Sequence, residues 1–118
     1  MLNGRTALVV EEEFLIALDM QRMLEAFGAG QTVFARGPAE AMVMWPQWQQ
    51  SGVALVEWRL DDEATTSLVE SLDTAGIPMV FLTSGPAVRP PENRPVVSKP
   101  VREQALASAL EMALALRH

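Results

Sequence analysis

Apolar residues fall along this chain in two alternating rhythms. Short unbroken runs rich in β-branched and aromatic residues come first: Thr6-Ala7-Leu8-Val9-Val10, Thr32-Val33-Phe34-Ala35, Val53-Ala54-Leu55-Val56, Met79-Val80-Phe81-Leu82 and a brief Val96-Val97. Between them, apolar positions recur every three or four residues. Ile16, Met20, Met23, Leu24 and Phe27 form one such set, Leu68, Leu72 and Ala75 another, and Leu106, Ala109, Leu110, Ala113 and Leu114 a last. The first rhythm predicts five strands and the second predicts helices. Gly28 and Gly76 close two of the helices, because glycine accepts the left-handed backbone of a helix end. Gly37-Pro38 opens a further helix with proline at its first position. Pro46 ends or kinks that helix, and Trp45 and Trp48 are placed to pack around the break.

Strands that are apolar throughout, rather than alternating, are buried on both faces. Alternating with helices, they imply an α/β fold, a parallel sheet covered on both sides. One connection breaks the rhythm. The stretch TSGPAVRPPENRP, residues 83–95, holds four prolines in thirteen residues and predicts a loop, or at most one turn, where a fourth helix would stand.

Composition narrows the classes. A length of 118 residues fits one compact domain, residues 1–118, and a chain that starts at methionine and stops soon after its last helix reads as a complete small protein. With 49% hydrophobic and 20% charged residues it reads as a soluble globular protein. The absence of cysteine removes disulfides, thiol catalysis and thiolate zinc sites. The N-terminal apolar run is short and meets three acids at once, unlike a secretory leader, and no apolar segment is of membrane-spanning length. Cytoplasm is the default location. A net charge of −6, with scattered basic residues, argues against nucleic-acid binding. The methionines fall mostly at helical core spacing, and His118 carries no role in the pattern.

Ligands of open parallel sheets bind beyond the carboxyl ends of the strands. Glu11, Glu12 and Glu13 follow the first strand, Glu57 the third, Thr83 and Ser84 the fourth, and Ser98, Lys99 and Pro100 the fifth. Each has a plainer explanation alone. Acids favour a helix start, a strand can end in a solvated carboxylate, and hydroxyls are ordinary in loops. Their convergence on one rim is what those explanations leave out. Clustered carboxylates raise one another's pKa unless a cation sits among them, and oxygen ligands suit Mg²⁺. Lys99 offers a fixed positive charge nearby.

The segments ALVVEEEFLIA, VALVEWRL, PMVFLTSG and VVSKP, in that order and spacing, resemble the receiver domains of two-component response regulators (CheY-like) over about residues 5–116. The resemblance implies a flavodoxin-like sheet of order 2-1-3-4-5. It places Glu11 and Glu12 on the acidic pair that holds Mg²⁺, and Glu57 on the phospho-acceptor aspartate. Arg59 falls where a main-chain carbonyl completes the metal site. Thr83, Ser84 and Lys99 fall on the residues that contact the phosphoryl group. The bond to Pro100 is commonly cis in the family, and Val96 stands where many members carry a switching aromatic.

Two departures redirect the function. Glutamate at position 57 carries its oxygens about 1–1.5 Å further out than aspartate, a misplacement that in-line transfer tolerates poorly. The longer arm instead brings the carboxylate toward where phosphoryl oxygens would lie, with charge −1 against about −1.5 to −2 for phosphate. The proline-rich segment also alters the face that family members use for output. The sequence therefore reads as a stand-alone pseudo-receiver, not an enzyme, independent of phosphorylation or fixed in an active-like state. It would act on a histidine kinase, a phosphotransfer protein or a downstream effector, with Mg²⁺ as a possible ligand of Glu11, Glu12, Glu57 and Arg59. Besides a purely structural domain, such as a fragment of a larger protein, two alternatives stand beside this reading. One is a phospho-accepting regulator or phosphate sink in a phosphorelay. The other is a Mg²⁺-dependent phosphatase, for which the chain shows no cap and no suitably spaced second acid.

Overall fold

The computed structural model describes residues 1–59, 62–84 and 94–116. Five strands form one sheet: β1 (Thr6–Val10), β2 (Gln31–Ala35), β3 (Val53–Glu57), β4 (Met79–Thr83) and β5 (Val96–Ser98). All pairings are parallel and the order is β2-β1-β3-β4-β5. The helices are α1 (Phe14–Ala26), α2 (Pro38–Val43), α3 (Trp45–Trp48), α4 (Glu63–Thr74) and α5 (Glu103–Ala115). This is the flavodoxin-like order expected from the resemblance.

Successive strand residues point to opposite faces, and both faces are apolar. Ala7, Val9, Leu55, Val80 and Leu82 pack with Met20, Leu24, Leu106 and Leu110 of α1 and α5. Leu8, Val10, Ala54, Val56 and Phe81 pack on the other face with Ala41, Trp48, Leu68 and Leu72 of α2, α3 and α4. The unbroken apolar runs of β1, β3 and β4 thus reflect burial on both sides.

Local sequence sets the ends. Gly28 follows α1 at φ +101, and an added Cβ would lie 3.4 Å from the backbone nitrogens of Leu2 and Asn3. Gly76 follows α4 at φ +73. Asp62 caps α4 by accepting from the Ala64 backbone N–H at 3.0 Å. Pro46 falls in the first turn of α3, and the helix that began at Pro38 breaks at Met44. Trp45 and Trp48 meet edge to face across that short helix, centroids 4.7 Å apart. The methionines divide otherwise than the spacing suggested: Met20, Met23 and Met79 are buried, whereas Met42 and Met112 are exposed. The expectation of a loop in place of a helix between β4 and β5 falls on residues 85–93, outside the described residues.

Candidate functional site

The sheet order reverses beside β1: the chain moves from β1 outward to β2, then returns past β1 to β3. Side chains that follow the carboxyl ends of β1, β3 and β5 therefore converge on one rim. Backbone ladders fix each start point. The Glu11 N–H donates to the Ala35 carbonyl at 3.0 Å, the Trp58 N–H to Leu82 at 2.9 Å and the Lys99 N–H to Thr83 at 2.8 Å. The Lys99–Pro100 bond is cis.

Lys99 reaches from the end of β5 past β4 to the acid of β3, two strand spacings of about 4.7–4.9 Å away, and to the acid that follows β1, the next strand beyond. Its ammonium lies 2.6 Å from Glu11 Oε1 and 2.7 Å from Glu57 Oε2. The Glu57 contact is an aligned hydrogen bond, while the Glu11 contact is an ion pair without that alignment. Glu11 has no exposed side-chain surface, and its Oε2 accepts from the Glu13 backbone N–H at 2.9 Å. On the solvent side, one guanidinium nitrogen of Arg59 donates to Glu57 Oε1 at 3.1 Å and to Glu12 Oε2 at 3.0 Å. Both oxygens of Glu57 are thus held by different cations.

The charges answer this geometry. Burial pushes the Glu57 carboxyl up, but hydrogen bonds from Lys99 and Arg59 outweigh it and hold the group below its ordinary range. Burial pushes Lys99 down, yet Glu11 and Glu57 together raise it above the usual ammonium value. The hydrogen bond to Glu57 raises Arg59 further, against a smaller effect of burial.

The structure brings together Glu11, Glu12, Glu57, Arg59 and Lys99. Thr83 ends β4, buried, and meets Lys99 through its backbone carbonyl. Ser84 is exposed. Among the described residues, no side-chain hydrogen bond joins either hydroxyl to Glu57 or Lys99. Val96 lies exposed on the edge strand. Trp58, between the two partners, packs on Phe81 with ring centroids 5.2 Å apart. The resemblance drew attention to the main chain at Arg59 and missed its side chain. The signal was present, because residues two apart in extended chain point the same way and Arg59 follows Glu57 by two.

As arranged, these residues do not fit Mg²⁺. The ion demands a near-ideal octahedron of oxygens at about 2.0–2.1 Å. Among the described residues, no three acids, imidazoles or thiols are grouped to hold a metal. The gaps between the carboxylates hold an ammonium and a guanidinium instead.

Comparison with known proteins points one way. No protein-family profile matches the chain. The phyllosphere-induced regulator PhyR of Methylorubrum extorquens is 26% identical over 113 residues, which cover 91% of this chain and 42% of that protein. The chain thus spans about two fifths of that relative's length. Among solved structures, SdrG of Pseudomonas melonis in its BeF3-activated conformation is 29% identical, covering 97% of this chain and 99% of that one, at a TM-score of 0.76. PhyR of Brucella abortus, a response regulator, is 26% identical, with 95% and 48% covered and a TM-score of 0.72. A response regulator receiver domain from Clostridium thermocellum, 18% identical, shares the fold at a TM-score of 0.71 over 94% of each chain.

Proposed function

From the premise that this chain has the fold of a response-regulator receiver domain, we propose that it works as a pseudo-receiver, a signalling module that acts through protein contacts without being phosphorylated. One observation carries the reading: both oxygens of Glu57 are engaged, one by Lys99 at 2.7 Å and the other by Arg59 at 3.1 Å. An acceptor oxygen must be free to approach the phosphorus in line. Here the longer side chain delivers its oxygens into two charge-assisted bonds. The same contact imitates a product, since a carboxylate extended onto Lys99 places negative charge where phosphoryl oxygens would meet that lysine. The partners are proteins: a histidine kinase, a phosphotransfer protein or a downstream effector. Similarity to PhyR regulators supports a signalling role of this kind.

Incubation with a small-molecule phosphodonor and Mg²⁺, read by intact mass, tests the proposal. The wild-type mass stays unchanged. A gain of one phosphoryl group mapped to Glu57 would replace this reading with a phospho-accepting regulator or phosphate sink.

A further inference from the structure

We infer that Arg59 is a built-in replacement for the divalent cation: its guanidinium bridges Glu12 and Glu57 and closes the rim to Mg²⁺. The inference rests on Glu57 standing at the acceptor position but not on whether Glu57 accepts phosphate.

Three carboxylates line this rim, linked in two pairs through Lys99 and Arg59. Glu11 is fully buried, Glu57 is four-fifths buried, and Glu12 is 69% exposed at its side chain. A rim with only Lys99 to balance them would carry a net charge of −2 and draw a divalent cation. Arg59 takes up one of those charges. It does so at the outer side, where an ion would enter, with one nitrogen 3.0 Å from Glu12 and 3.1 Å from Glu57. Lys99 occupies the inner side between Glu11 and Glu57. The two cations therefore divide the cluster into an inner and an outer pair.

The chemistry of the replacement makes its charge permanent. A guanidinium keeps its charge at every physiological pH and is less strongly hydrated than an ammonium, so it rests in a half-buried ion pair at little cost. Arg59 is 38% exposed and its guanidinium is anchored to Glu57 and Glu12, so shortening it removes the plug without opening the apolar core. For Mg²⁺ to enter, the arginine must leave both carboxylates, and its charge then repels the ion from close range. Loss of that unit charge about 4 Å from the ion strengthens binding by at least about tenfold.

Titration calorimetry with MgCl₂ alone, on wild type, Arg59→Ala and Arg59→Asn, tests this. Two neutral variants guard against one that folds poorly, and far-UV circular dichroism confirms the fold of each. The expected result is a gain of function. Wild type gives no saturating heat over the range in which both variants saturate, and Glu57→Ala added to Arg59→Ala abolishes the new binding. Wild type binding Mg²⁺ as tightly as the variants would overturn the inference, as would folded variants that gain no binding. Wild type that binds Mg²⁺ as tightly as the variants yet takes no phosphate sinks this inference alone. Wild type that takes phosphate on Glu57 sinks the proposed function.

Discussion

At the scale of single residues, one carboxylate, that of Glu57, is held by two cations. The folded pKa of Glu57 lies below its unfolded value, so its pairing stabilises the fold fully above the ordinary glutamate range, about 4.3. That contribution is lost as pH falls through the depressed folded pKa. The folded pKa of Lys99 is raised, so its share is present below about 10.4 and is lost as pH rises through the higher folded value. Between those limits the network contributes a constant term. Glu57→Gln should therefore be less stable than wild type at pH 7, and the gap should narrow as both are acidified toward pH 3. Denaturant midpoints across a pH series measure it, and parallel curves would show that the pairing adds nothing. Glu11, Glu57 and Lys99 were legible in the sequence because each stands at or just beyond a strand's carboxyl end, which topology alone brings to one rim. The side chain of Arg59 was missed, although its two-residue spacing from Glu57 carried a signal, because the motif was read only for its main chain. Ser84 was placed on the rim by the same reasoning, as a residue that follows the fourth strand, and it is exposed.

At the scale of elements, local chemistry and tertiary packing share the work. The glycine stops after α1 and α4 and the break near Pro46 follow from backbone preferences that act within a few residues. The helical spacing of Ile16, Met20, Met23, Leu24 and Phe27 marked the inward side of α1, where Met20, Met23 and Leu24 are buried. Phe14, Leu15 and Leu18 of α1 are exposed although hydrophobic, because a helix lying on a sheet buries one stripe, here Ala17, Met20, Met23 and Leu24. Trp48 shows the opposite case. It lies in a helix of four residues, yet it is fully buried and its indole N–H donates to the Ala41 carbonyl. So short a helix has no stability of its own, and this side chain ties it to the sheet. Trp48→Ala should cost about 3–5 kcal/mol in chemical denaturation. A loss below about 1 kcal/mol would mean that the face collapses onto the gap, so that Trp48 is not the anchor.

At the scale of the whole molecule, the fold was legible in the sequence, and the choice between phosphate transfer and none was not. Unbroken apolar strands between helices imply a doubly covered parallel sheet, and the described residues form one in the order β2-β1-β3-β4-β5. The same sheet carries receivers that take phosphate, so its presence decides nothing about transfer. In the proposed reading, one methylene at position 57 and one guanidinium at position 59 separate the two behaviours. Among the described residues, no helix is long and apolar enough to cross a membrane. The most direct measurement of the central claim is the backbone-amide NMR spectrum with and without beryllofluoride and Mg²⁺. It compares wild type with a double variant, Glu57→Asp with Arg59→Ala, that restores the shorter acceptor and clears the cation position. The account predicts that wild-type resonances stay in place, while the double variant shifts at the ends of β3, β4 and β5. Wild-type shifts matching those of the double variant would show that Glu57 still works as an acceptor site, and would contradict it.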